Sequence, residues 1–283
     1  MKKGLKKLMA LGLVAVLAAG MVGCGKKTDS KKTSENTSKL QEIKDSGKLV
    51  VGTSPDYPPF EFLVAGKGSG DIVGADIELA KRIAKEAGVE LEIKGMDFDT
   101  LIPALTSGQV DIVITGMTPD ETRKKSVDFT DIYFKGKNGV IVKSKDVDKI
   151  KSEDDLKKLK LGVQKGSTQE TYVKDQLKMS DYKALVSVPD LVMDMKNENI
   201  DAIILNDKVA NINSEKYKGI KVVKNIEFTS GGDEEAMAIA VKKGNNKEFI
   251  DMMNNLIKKL NETKEYDKIL ADAVDLVSKQ EEK

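Results

Sequence analysis

Gln109-Val110-Asp111-Ile112-Val113-Ile114-Thr115 is answered in the second half of the chain by Asn199-Ile200-Asp201-Ala202-Ile203-Ile204-Leu205. Each run leads from a polar residue through an aspartate into consecutive apolar side chains and then into a polar loop, as strands buried on both faces do. Leu49 to Ser54 is answered in the same way by Leu161 to Ser167, both strands running into a loop with Gly and Ser. Buried strands can look alike by chance, but the two pairs recur in the same order. That order indicates two similar halves, each with loops at the carboxyl ends of its strands, where ligands bind in open parallel sheets.

Working outward, further β-branched runs read as strands: Leu91 to Ile93, Gly139 to Val142, Ile220 to Val223 and Met237 to Val241. Helical periods lie between many of them. Ile77, Leu79, Ala80, Ile83 and Ala84 share one face, as do Leu101, Ile102 and Leu105, and later Phe249, Met252, Met253, Leu256 and Ile257. Alternation of this kind predicts an α/β protein with largely parallel sheets.

The amino terminus reads as an address. Lys2, Lys3, Lys6 and Lys7 precede an apolar run from Leu8 to Val22, too short to span a bilayer comfortably, closed by Gly23-Cys24. Residues 1–23 are expected to be a signal peptide. Cys24 is the only cysteine, so no internal disulfide can form, and its position resembles the lipobox of bacterial lipoproteins, although Met21 stands where Leu is usual. An ordinary signal peptide followed by a stray thiol is the other reading. Residues 25–39 carry no aliphatic or aromatic side chain and cannot build a core, which makes 24–44 a flexible tether.

Composition narrows the function. The 47 basic and 46 acidic residues almost cancel, and without the first 23 residues 43 stand against 46, so no strong field draws the protein to nucleic acid. With no histidine, a His-based triad, an imidazole base and a His-ligated metal are all excluded. There is no Gly-x-x-x-x-Gly-Lys-Ser/Thr loop for nucleotide phosphates. No cofactor and no metal are expected.

Three loops carry the candidate site. Ser54-Pro55-Asp56-Tyr57-Pro58-Pro59-Phe60-Glu61 follows the first strand, its prolines rigidifying an aromatic face beside hydroxyl and carboxylate groups. A core plug is the alternative reading for Tyr57 and the leading one for Phe60. Thr115-Gly116-Met117-Thr118-Pro119-Asp120-Glu121-Thr122-Arg123 is expected to open a short helix with Pro119 in its first turn, letting the Arg123 fork reach a carboxylate. An arginine in such a charged run is also commonly just solvated. In the second half, Ser167 and Thr168 begin a helix whose amino terminus suits an anion, and Asp207 follows a strand where it would either pair an ammonium or cap a helix.

These segments together, with the runs IVGADIELAKRIAKEAG and FDTLIPALTSGQVDIVITGMTPDETRKKSVDF, resemble the polar-amino-acid family of bacterial extracellular solute-binding proteins, family 3, over about residues 45–275. The resemblance implies a two-lobed periplasmic-binding-protein-like fold of type II. Each lobe would be a mainly parallel sheet flanked by helices, and two crossing hinge segments near Tyr133 to Asn138 and Phe228 to Glu234 would join them. Lobe 1 would comprise 45–134 and 232–283, lobe 2 135–231. Arg123 would clamp the ligand α-carboxylate with Thr118, Ser167 and Thr168; Asp207 would pair the α-ammonium, helped by the Thr115-Gly116 backbone, and Met117 would be a further ligand-binding residue. Tyr57 and Phe98 would enclose the ligand side chain. Ser54 departs from the acidic residue common in members that bind basic amino acids, and Asp56 or Glu61 would have to stand in for it. The implied protein is a non-enzymatic, monomeric subunit lipid-anchored at Cys24 on the extracytoplasmic face. It would capture a free L-amino acid, a basic one by slight preference, for an ABC permease with a separate ATPase. A cyclohexadienyl dehydratase-like enzyme and a ligand sensor are the alternatives on the same fold.

Overall fold

The computed structural model describes residues 37–64, 71–224, 226, 228 and 234–281. The signal peptide, Cys24 and most of the tether lie outside the described residues. The chain begins with α1 (Lys39–Ser46), whose Leu40 and Ile43 are buried and whose amino end is capped by Ser38. This helix starts inside the segment expected to be tether, because Leu40 and Ile43, three residues apart, form an apolar face that the polar residues before them lack.

The first half then runs through β1 (Lys48–Thr53), a three-stranded hairpin sheet of β2 (Asp56–Tyr57), β3 (Glu61–Val64) and β4 (Asp71–Val73), α2 (Ala75–Ala87), β5 (Glu90–Gly95), α3 (Leu101–Ser107), β6 (Ile112–Val113) and β7 (Val127–Phe129). Next come β8 (Phe134–Lys143), α4 (Glu153–Leu156), β9 (Leu161–Gln164), α5 (Thr168–Thr171), β10 (Tyr182–Leu185), α6 (Val188–Lys196), β11 (Ala202–Asn206), α7 (Asp207–Lys216) and β12 (Ile220–Val222). The chain returns through β13 (Glu234–Met237) and β14 (Ala240–Lys242) and ends in α8 (Lys247–Glu262) and α9 (Glu265–Glu281).

The two large sheets have the orders β5-β1-β6-β14-β7 and β10-β9-β11-β8-β12. In each, three strands are parallel and the fourth is an antiparallel strand contributed by a chain segment arriving from the other half. The sequence echo is therefore topological: β1 and β9 are the strands flanked by parallel neighbours on both sides, and β6 and β11 are the third strands of their halves. Every strand carboxyl end in the parallel part points its loop toward the same cleft.

The two passages between the sheets lie side by side. Glu234 to Met237 of β13 pairs antiparallel with Phe134 to Lys137, the first residues of β8, while β8 beyond Asn138 belongs to the second sheet. The sequence reads Met237 to Val241 as one strand. The structure divides it at Ala238 and Ile239, because the chain changes partner there, leaving β8 for β6 and β7. The largest apolar cluster runs from Leu49, Ile83 and Phe249 in the first half to Leu191 and Ile203 in the second.

Candidate ligand-binding site

Where the two sets of loops meet they line a tightly closed cavity of about 10 Å³, room for no more than about one water molecule. Of the residues expected from sequence, Ser54, Asp56, Tyr57, Phe98, Thr115, Gly116, Thr118, Arg123, Ser167 and Thr168 line it. Met117 and Asp207 do not. Met117 is buried in the apolar cluster around Leu101 and Val113, and Asp207, the first residue of α7, lines a separate open groove beside Phe134, Lys137 and Asp267. Gln164, Gln169, Glu61 and Glu235 complete the wall.

Arg123 is the cationic pole. Its side chain is only 8% exposed. Nη1 donates to the Thr118 carbonyl at 2.7 Å, Nη2 crosses the cleft to the Gly166 carbonyl at 2.8 Å, and Nε lies 3.2 Å from Asp120 Oδ2. The guanidinium sits 5.3 Å from the centroid of Phe98, so this ring is the platform under the arginine as well as a wall of the cavity. Burial pulls the Arg123 pKa down, an effect that Asp120 and Glu235 oppose. The helix expected from Pro119 is absent. Asp120 accepts from the backbone N–H of Thr122 and of Arg123, both at 2.8 Å, and only a short 3-10 turn, Arg123–Lys125, forms. An aspartate so placed competes with the helix for its own donors.

The Thr115-Gly116 loop is held from behind. Thr115 Oγ1 accepts from Ser54 N at 3.0 Å and donates to Glu61 Oε1 at 2.7 Å, while Gly116 N donates to Asp76 Oδ2 at 2.8 Å. Gly116 has φ +56°, in the left-handed region that side-chain-bearing residues adopt only with strain, so the loop favours glycine on backbone grounds, although a Cβ would fit in ordinary contact with Tyr57 and Met237. Asp76 and Glu61 are both fully buried. Desolvation raises Asp76 to about 6 and lifts Glu61 well above the usual carboxylate range, with the neighbouring Asp76 adding to the latter.

Further bonds cross the cleft. Asp56 Oδ2 accepts from Val188 N at 2.8 Å, at the amino end of α6, and from Gln164 Nε2 at 3.1 Å; Tyr57 Oη accepts from Asn206 N at 2.9 Å; Lys165 Nζ lies 2.8 Å from Asp99. Burial raises the Asp56 pKa against these hydrogen bonds. Ser167 caps α5, its Oγ accepting from Glu170 N at 3.1 Å.

Glu235, on β13, is 4% exposed. Its Oε1 accepts from Gln169 Nε2 at 3.0 Å and its Oε2 from Asn206 Nδ2 at 2.5 Å. Desolvation raises its pKa to about 7. In sequence it sits in Gly231-Gly232-Asp233-Glu234-Glu235, which looks like any exposed acidic turn; the only signal was its nearness to the expected second crossing.

These shifts predict a pH dependence of the ligand-free protein. Glu235 and Asp76 have folded pKa values above their ordinary 4.5 and 3.8. Their contribution to stability is complete below those ordinary values and is lost as pH rises through about 6 and about 7. Each group accounts for on the order of 3 kcal/mol. Urea midpoints should fall between pH 5 and pH 8, and Glu235→Gln should flatten the upper part of that decline.

Two similar halves closing on a small ionic cavity at the carboxyl ends of their strands, joined by two adjacent passages, define a two-lobed binding-protein fold of type II. The model of the bacterial extracellular solute-binding proteins, family 3, matches residues 49–273, and the chain belongs to that family. It is 38% identical over 268 residues to the arginine-binding extracellular protein ArtP of Bacillus subtilis, covering 94% of this chain and 96% of that one. An amino acid ABC transporter substrate-binding protein from Streptococcus pneumoniae, solved bound to L-arginine, superposes with TM-score 0.79 at 34% identity, over 84% of this chain and 98% of its own. The ancestral amino acid-binding protein AncCDT-1, a precursor of cyclohexadienyl dehydratase, matches with TM-score 0.74 at 34% identity, over 84% and 100%.

Proposed function

We propose that the protein captures a cationic L-amino acid, arginine foremost, outside the cytoplasm and hands it to an ABC permease driven by a separate ATPase. The observation that carries this reading is the charge of the cavity wall: one guanidinium, Arg123, faces three carboxyl groups, Asp56, Glu61 and Glu235. A zwitterion uses one charge of each sign; with Glu61 lifted well above the usual carboxylate range, Asp56 and Glu235 still leave an acidic remainder that favours a positive side chain. The arginine named for the Bacillus and Streptococcus relatives supports the same choice. Arg123, with Thr118, Ser167 and Thr168 around it, would take the α-carboxylate, and Tyr57 and Phe98 would flank the side chain.

In this reading residues 45–134 with 232–283 and residues 135–231 are the moving lobes, and the protein is a monomer held at the membrane by lipid on Cys24 through the tether. It performs no chemistry. The likeness to a dehydratase precursor is one of fold, which does not transfer an activity.

The test is a thermal-unfolding scan of refolded, ligand-stripped protein against each common amino acid and cystine. Arginine at about 100 times its Kd should add about 2.7 kcal/mol and raise the midpoint by about 5–10 °C. A response confined to neutral or acidic amino acids would overturn the cationic assignment.

A further inference from the structure

Ser54, Thr115 and Gly116 line the cavity, and the hydrogen bonds that fix them run behind its wall as one chain. Followed from donor to acceptor, Ser54 N donates to Thr115 Oγ1 at 3.0 Å, and Thr115 Oγ1 donates to Glu61 Oε1 at 2.7 Å. From the other end Gly116 N and Tyr133 Oη both donate to Asp76 Oδ2, each at 2.8 Å, and Tyr266 Oη donates to Asp76 Oδ1 at 3.5 Å. The two ends meet where the Glu61 and Asp76 carboxyls touch. Both side chains are fully buried, and Glu61 Oε2 has no donor of its own. Two carboxylates offer only acceptors, so the chain is one hydrogen short at this contact. A proton on Glu61 Oε2 supplies it. Asp76, with three donors already turned toward it, is the member of the pair that keeps its charge and accepts.

We propose that Glu61 and Asp76 share a single proton, Glu61 as the neutral acid and Asp76 as the carboxylate, and that this proton positions the Thr115-Gly116 loop for the ligand. The role toward a ligand rests on the amino-acid reading of the preceding subsection; the proton itself does not. Nothing that faces the pair offers a counter-charge. Its neighbours are Asp56 and Tyr57 on β2, the Thr115 hydroxyl after β6, Tyr133 at the entry to β8 and Tyr266 on α9. Arg123, the cation of the cavity, is taken up by Thr118, Gly166 and Asp120. Burial raises both carboxyls, and the Asp76 charge raises Glu61 further. Losing the proton to solvent sets two buried anions against each other, and the disturbance falls on Gly116 and Tyr133, which hang on the same oxygen. Tyr133 stands directly before β8 and meets Tyr266 edge-on with centroids 5.6 Å apart. The ligand loop, the passage between the lobes and α9 therefore answer to one protonation state. The sign is fixed by the raised pair: the loop is held while the proton is present and released as pH rises and removes it.

Infrared difference spectroscopy on the full folded protein reads the proton directly. Wild type minus Glu61→Gln at neutral pH should show the carbonyl stretch of a protonated carboxylic acid, and its absence overturns the proposal. The same band should persist in Glu235→Gln, which lacks the cavity carboxyl raised to about 7, so the proton is sought even where Glu61→Gln does not fold. A Glu235→Gln protein without the band overturns the proposal equally. Calorimetry with L-arginine, or with the amino acid that the thermal scan selects, is the second arm. As pH rises the wild-type band and affinity should decline together, the affinity by about tenfold or more, and the ratio to Glu61→Gln cancels the ligand's own ionisation. A band and an affinity that both hold to the alkaline limit of folding agree with a proton that is never released. Glu61→Gln, which copies the donor and acceptor of the neutral acid, should bind about tenfold or more tightly than Glu61→Leu, which leaves Thr115 and Asp76 without their partner. Affinity that falls while the band persists, or Glu61→Gln no better than Glu61→Leu, overturns the positioning role. A wild type that shows the band and binds no amino acid overturns the functional reading and leaves the proton standing, which separates the two failures.

Discussion

Replacing Arg123 by alanine should remove ligand binding from a protein that still folds. Calorimetry should show a loss of about 2–5 kcal/mol, a factor of about 30 to several thousand in affinity. The size follows from where the guanidinium sits. It is almost fully buried, aligned by Thr118 and Gly166 carbonyls and by Asp120, and stacked on Phe98. A carboxylate arriving there meets a planar fork already held in place, and alanine leaves that carboxylate dry and unpaired. Lysine does not restore it, since an ammonium cannot reproduce the two parallel donors, so Arg123→Lys should recover only a minor part of the affinity. The folded state loses little by comparison, because the carbonyls released are neutral acceptors at a wettable cleft. Unchanged affinity in Arg123→Ala would take the cationic pole out of the site.

Asp76→Ala should produce the largest loss of stability. Asp76 is fully buried and accepts from Gly116 N at 2.8 Å, Tyr133 Oη at 2.8 Å and Tyr266 Oη at 3.5 Å. Deleting the carboxylate strands the donors it gathers from three separate parts of the chain, and each buried unpaired donor costs about 1–3 kcal/mol. A total of about 3–5 kcal/mol is expected, or a fall of about 10 °C in the unfolding midpoint. Binding should weaken as well, because Gly116 loses the contact that fixes its loop. A urea midpoint equal to wild type would show that the buried carboxyl is not the anchor of this loop.

Much of the frame could be read in advance because buried parallel strands write themselves as apolar runs. The echo of Gln109 to Thr115 in Asn199 to Leu205, and of Leu49 to Ser54 in Leu161 to Ser167, became respectively the third and second strands of two sheets with the same order. The small hairpin sheet β2-β3-β4 was not legible: Asp56 and Tyr57 lie in a proline-rich stretch that reads as a loop, and their pairing with Phe62 and Glu61 depends on chain reversal at Pro58-Pro59. In the site, Arg123 could be found because it follows a buried strand through a polar loop. Gln164 and Gln169, which flank Ser167 and Thr168 in sequence, carry no signal of their own, since an amide has no charge to attract notice. Asp207 and Asn206 show the limit most clearly. A strand alternates its side chains and a helix begins at the next residue, so one position decides which of two adjacent polar groups faces inward. Sequence selected the charged one; the fold directs Asn206 toward Glu235 and gives Asp207 to the helix.

The paired passages between the lobes limit how the molecule can move. Phe134 to Lys137 and Glu234 to Met237 share ladder hydrogen bonds, and β8 continues without interruption into the second sheet. Two separate linkers would allow each half to slide, swing and swivel independently. A hydrogen-bonded ribbon resists sliding and stretching but yields to twist and bend, so it acts as a torsion bar with essentially one soft coordinate. In the proposed capture cycle, opening would swing the Arg123 and Gly166 sides of the cleft apart along a single arc, and the outer surfaces of the two lobes would tilt by an amount fixed by the same angle. In the proposed transport role, a membrane partner touching both surfaces would gauge whether the cleft is occupied without touching its contents.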